Sequence, residues 1–248
     1  MLARLTVFST IIASLLGASP IHARVTELRI DAVEPFADGQ AFGDIGPYVR
    51  IRGIAKGELD PNAPENSIIV NIDKAPRNER GLVTYETDVF ILRPADPGKG
   101  SKVMLYDVLN RGRKFVLNWI DDAPANNDPK TGRDAGLGFS LGRGYTIVWS
   151  GWDPDVPLAN NGMAARLPIA TNDGTPIIKR IRDEIQIGTR GPANVDVARL
   201  SYPAAGTDKA KARLTVRDRE ADAGIEVPSD GWEFADAQSI RLLPAGTK

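Results

Sequence analysis

Two nearly continuous apolar runs limit what this chain can fold into. Val103-Met104-Leu105-Tyr106-Asp107-Val108-Leu109 and Tyr145-Thr146-Ile147-Val148-Trp149-Ser150 lack the apolar–polar alternation of a half-solvated strand. Such runs fit strands buried on both faces, as in a parallel sheet. Between them Phe115–Ile120 and Ala135–Leu141 have helical character, separated by a polar Asp/Asn/Pro stretch over 121–129. Strand, helix, strand in that order predicts a parallel crossover unit.

The flanking segments carry a different signal. Val25–Ile30, part of Tyr48–Ile54, Ser67–Ile72 and Val83–Leu92 are rich in alternating or β-branched residues. They are punctuated by the glycine-rich connection 39–47 and the turn at Asp60-Pro61-Asn62-Ala63-Pro64, which predicts antiparallel hairpins. After Trp152 the β signals return at Arg166–Ala170, Ala212–Arg217 and Ser239–Leu243, and Ile177–Ile187 is read as strand over helix. The expected class is a β-rich mixed α/β fold. Its expected divisions are a leader at 1–23, a β-rich segment at 24–100, the crossover unit at 101–153 and a second β-rich segment at 154–248. A composition of 42% hydrophobic and 25% charged residues suffices for a sizeable core.

The chemistry open to the chain is restricted by two residue types. Cysteine is absent and the single histidine is His22. It lies in a stretch with the parts of a secretory signal: basic Arg4, an apolar run over Leu5–Leu16, and an exit at Ile21-His22-Ala23. The run is shorter than the roughly 20 residues needed to span a bilayer. Cleavage between Ala23 and Arg24 would deliver a secreted or periplasmic chain without histidine, cysteine or any later membrane span. That excludes an internal Ser-His-Asp triad, a Cys-His dyad, a structural zinc site and disulfides. With a formal net charge of −1 and no cluster of basic residues, no nucleic-acid partner is expected. No cofactor or metal motif is present.

Several motifs remain. Gly138-Phe139-Ser140-Leu141-Gly142 matches G-x-S-x-G, but a nucleophile elbow needs a strand before the serine and a helix after it. Here the order is reversed, and glycine-rich punctuation before a strand explains the motif better. Asn110-Arg111-Gly112 follows a buried-type strand, where α/β proteins place ligand-contacting backbone. It reads equally as an oxyanion-type loop or as an ordinary turn with a solvated arginine. Asp121-Asp122 and Asp153-Pro154-Asp155 supply paired carboxylates. A glycosidase would need two of them about 5–10 Å apart across a sugar, and turn formation or capping explains them as well. Trp149 and Trp152 stand beside a strand end, as pocket walls or as core.

Taken together, Glu34–Gly43, Gly46-Pro47-Tyr48, Gly57–Pro61, Ala75-Pro76-Arg77-Asn78, Asn110-Arg111-Gly112 and Arg143–Trp152 resemble the amino-terminal portion of the exported bacterial α/β-hydrolase domain-containing proteins. The resemblance implies an incomplete hydrolase-type parallel sheet beginning near Val103, flanked by antiparallel β segments, with Asn110, Arg111 and Gly112 at the oxyanion-loop position. It implies an ester-like small-molecule substrate in a complete counterpart, whose serine elbow, acid and histidine would follow the second β segment. The expectation is thus a relative that is inactive alone, with an exposed sheet edge able to self-associate. The competing expectation is an autonomous secreted β-rich binding module.

Overall fold

The computed structural model of the protein describes residues 23–186 and 197–243. All of the expected leader 1–23 except Ala23 therefore falls outside the described residues. Three long strands open the chain: β1 (Ala23–Pro35), β2 (Tyr48–Leu59) and β3 (Val83–Pro94). They pair as an antiparallel meander, with the alternation of Val83–Leu92 carried onto β3. Two register shifts, at Val25/Glu27 and Ile30/Ala32, interrupt the β1–β2 ladder.

The chain then crosses the sheet. β4 (Met104–Tyr106) leads through the short helices α1 (Val116–Asp121) and α2 (Phe139–Gly142) to β5 (Thr146–Ser150). β4 and β5 are parallel, with Leu105 opposite Ile147, as the two apolar runs predict. β5 inserts between β3 and β4, giving the order β1-β2-β3-β5-β4, and β6 (Ala165–Arg166) adds to β3. The fold is thus β-rich, with few helices and a mixed sheet containing one parallel pair.

One layer of side chains holds this unit together. Phe90 and Leu92 of β3 and Ile147 and Trp149 of β5 turn the same way, and Phe36, Tyr48, Leu109 and Leu141 close over them. The Tyr48 hydroxyl lies 3.0 Å from the carbonyl oxygens of both Leu141 and Tyr145, so its polar end is satisfied inside the core. Burial, with the Asp121 carboxylate contributing, pushes its phenol pKa upward.

Several sequence expectations need correction. Ser67–Ile72 is not a strand: turns run through it, with 3₁₀ turns at Pro64–Asn66 and Ile72–Lys74 and Asn71 in the left-handed region. The predicted helix at Ala135–Leu141 shrinks to α2, because Gly136 and Gly138 take positive φ. The run Val103–Leu109 is not buried on both faces. Only three of its residues form β4, the outermost strand of the path, and Met104 is 62% exposed.

The chain divides into two compact units, one ending at Thr175 and one beginning at Pro176. A two-residue pairing joins β7 (Thr171–Asn172) to β8 (Thr175–Pro176). In the second unit β9 (Val197–Arg199), β12 (Trp232–Asp236) and β13 (Ser239–Leu242) form an antiparallel sheet in the order β12-β13-β9. Its small core gathers Ala198, Val227, Trp232 and Ile240. The expected strand at Ala212–Arg217 contracts to β10 (Thr215–Val216), paired with β11 (Ile225–Glu226). Residues 177–186 form no strand, and Ile187 lies outside the described residues. Arg166–Ala170 pairs only through β6.

Candidate functional site

The loop after β4 is built around one tight reversal. Asn110 and Arg113 exchange backbone hydrogen bonds of 3.2 Å in both directions. Between them Arg111 and Gly112 take φ of 49° and 80°, the combination of a type I′ turn. Glycine is required at the second position for two reasons. Its φ is left-handed, and a Cβ there would stand 2.3 Å from Val156 Cγ1 and 2.9 Å from the Met163 carbonyl oxygen. The Gly112 carbonyl accepts from the Met163 amide at 3.2 Å, which fixes the turn against the following segment. Neither the Arg111 nor the Gly112 amide donates to a protein group among the described residues. The Arg111 guanidinium reaches Asp153 at 3.5 Å and is otherwise solvated.

The two tryptophans part company here. Trp149 is 0% exposed, packs edge-to-face on Phe90 at 5.5 Å, and donates its indole N–H to Asp107 at 2.6 Å. It is a core residue. Trp152 is 52% exposed, with its indole N–H on the Leu109 carbonyl at 2.6 Å. Of the pair, only Trp152 can touch a ligand, and it stands beside the 110–113 turn.

Two residues that no motif marked organise the loop. Asp107 Oδ2 accepts from the amides of Phe115 and Val116 at 2.8 and 2.9 Å as well as from Trp149. Its other oxygen accepts from no group among the described residues. A lone carboxylate inside the apolar run Val103–Leu109 was the available signal. Lys114 is buried, its ammonium bonded to the Asn127 carbonyl and set 4.4 Å from the Phe90 ring centre. Burial pushes the Lys114 pKa down to about 8 against the opposing pull of Asp128, Asp107 and Asp88.

Beside the free edge of β4 runs an open groove of about 370 Å³, lined by Leu105, Tyr106, Asp107, Val108, Val116, Trp119 and Ile120. Its walls are largely preformed. Trp119 stacks on Phe115 with ring centres 4.8 Å apart, and the Tyr106 hydroxyl meets Ser150 Oγ at 2.6 Å.

The other chemistry-bearing candidates are occupied structurally. Ser140 is 0% exposed, and both its amide and its hydroxyl donate to Asp121, at 2.8 and 2.6 Å. Asp121 thereby spends both carboxylate oxygens on one buried residue. Asp153 accepts from the Asp155 amide at 2.9 Å as well as meeting Arg111. No cluster of three metal-ligating side chains occurs among the described residues, and no described helix is long and apolar enough to cross a membrane. Ala23 opens β1, and the Arg24 guanidinium lies 3.2 Å from the Glu58 carboxylate. Comparison with family models, curated proteins and solved structures finds no match for the chain.

Proposed function

We propose that residues 24–248 are the first portion of a secreted, ester-hydrolase-type α/β sheet and are catalytically silent by themselves. The observation that carries this reading is the placement of the Asn110–Arg113 turn. It directly follows the first strand of the parallel pair, and a later strand, β5, is inserted between β3 and β4. In open α/β sheets ligands gather where the strand order reverses, beyond the strands' carboxyl ends. In hydrolases the loop after the corresponding strand donates an oxyanion-hole N–H. The undirected amides of Arg111 and Gly112 are suited to that role. The chemistry they would serve, acyl transfer from an ester-like substrate, needs a nucleophile and a base. Ser140 is enclosed, and no histidine follows His22.

Two measurements test the reading. The coding sequence past codon 248 should continue into a strand–G-x-S-x-G–helix unit and a late histidine. Purified residues 24–248 should not hydrolyse p-nitrophenyl acetate above buffer, because a positioned base supplies about 10²–10⁴-fold of the rate. Turnover abolished by Ser140→Ala would overturn the silent-chain reading. A second reading, a binding module, is favoured by one observation, the bare β4 edge and its groove.

A further inference from the structure

We propose that the free edge of β4, with the groove beside it, is a strand-addition site for an extended apolar peptide segment that carries a hydrogen-bond donor opposite Asp107. The inference stands on the geometry of this edge and rests on the second, binding-module reading; under the hydrolase reading the continuing sheet would cover the edge.

The backbone supplies the first argument. Toward β5, the Thr146 amide donates to the Val103 carbonyl at 2.9 Å and the Asp107 amide to the Val148 carbonyl at 3.0 Å. Odd-numbered residues thus face β5. The alternation of a strand turns the N–H and C=O groups of Met104 and Tyr106 the other way, where β4 has no neighbour among the described residues. Val108, just beyond, makes no backbone hydrogen bond among them either. Those groups recur at the spacing an added strand requires.

Apart from its shortness, the edge lacks the devices that normally blunt one: bulges, proline and charge within the strand. The stretch from Val103 to Tyr106 contains no charge and no proline, and β4 pairs with β5 without a register shift. Met104, Tyr106 and Val108 are exposed along β4 and just beyond it, and Tyr106 and Val108 line the groove together with Val116, Trp119 and Ile120. Trp119 is 75% exposed although it is stacked and therefore already ordered. Little entropy is lost in presenting such a wall to a ligand.

Size and charge select the occupant. A strand of three residues, about 10 Å of edge, engages far fewer residues than the roughly 20–30 a side of a stable pair of globular proteins. A second copy of the chain is therefore too large for the contact available, whereas a short peptide strand fits it. Asp107 is the one charged residue in the groove, and one of its oxygens lacks a donor. A serine or threonine hydroxyl, or a cation, facing it would satisfy that oxygen; an apolar side chain there would leave it desolvated.

The probe is the hexapeptide acetyl-Val-Thr-Val-Ser-Val-Thr-amide added to residues 24–248, read by amide hydrogen exchange. Saturating peptide should slow exchange at Met104 and Tyr106 at least tenfold. A version N-methylated at alternate residues, and an all-valine version without a donor, should each bind at least tenfold more weakly. Met104→Lys and Val108→Lys replace exposed side chains and should weaken binding by a similar factor. Val33→Lys on the opposite edge should leave it unchanged, and two edge variants guard against one failing to fold. Protection that survives N-methylation, or no binding up to millimolar peptide, would overturn the proposal. So would a dimer seen by sedimentation without peptide and dissolved by Met104→Lys, which would give the edge to a second copy.

Discussion

β1 and β4 are the two ends of the same strand path, and they meet solvent in different ways. β1 is 13 residues long, paired along its length with β2 and twice interrupted by register shifts. Its Glu27 and Glu34 are paired across the ladder with Lys56 at 3.0 Å and with Arg50 and Arg52 at 2.6 and 3.2 Å. Its apolar residues Val25, Leu28, Ile30 and Val33 are nonetheless exposed. β4 has three residues, no charge and no bulge, yet it adjoins the strand that holds Ile147 and Trp149 at 0% exposure. Edge protection and contribution to the core are therefore separable. The long strand is guarded by charge and bulges yet peripheral; the short one has neither and borders the fully buried Ile147 and Trp149.

That contrast breaks most sharply if the core does not lie where the comparison puts it. Trp149→Ala should cost about 3–5 kcal/mol in urea unfolding, through the void left and the lost indole bond to Asp107. A loss under 1 kcal/mol would mean that the β5 side is not the core.

A smaller effect comes from the charge enclosed behind β5. Folding lowers the Lys114 pKa from 10.5 to about 8. Between those values the unfolded chain holds the proton that the folded chain has released, so stability should climb with pH by up to about 3 kcal/mol. Tyr48 works in the opposite sense: its folded pKa lies above the ordinary 10.0, so its contribution is present below pH 10 and fades above it. Melting temperature should accordingly peak near pH 10. Lys114→Met should abolish the climb between pH 8 and 10 and leave the fall above it.

Gly112→Ala should cost about 1–3 kcal/mol, from left-handed strain and collision with Val156 and Met163. Thermal melts check this. At the other edge, Leu28→Lys should change stability by less than about 0.5 kcal/mol; a larger loss would show that β1 contributes packing its exposure hides.

How far the sequence foretold this depended on where each segment's partners lie. The meander and the parallel pair were legible because alternation and continuous apolarity report the faces a strand buries. Val103–Leu109 misled because a run suited to burial on both faces here leaves Met104, Tyr106 and Val108 exposed on one of them. Ser67–Ile72 misled because three successive apolar residues can line a turn when Asn71 takes a left-handed conformation. Trp149 and Trp152 sit three residues apart with similar local context, and only the strand's end between them sends one inward. Asp107 reaches amides eight and nine residues ahead, outside any capping pattern that local spacing can reveal. Lys114 reads as a solvated charge until Phe90 and Asn127 are brought around it.

The clasp between Asp121 and Ser140 bears on motion within the crossover. α1 has six residues and α2 four, well below the length at which a helix persists in water. Each owes its shape to the other through one carboxylate that accepts both the amide and the hydroxyl of Ser140. Opening either helix strands a buried carboxylate or a buried hydroxyl, so the two open together or not at all. Local opening of α1 is thereby coupled to that of α2 by a shared buried hydrogen-bond pair.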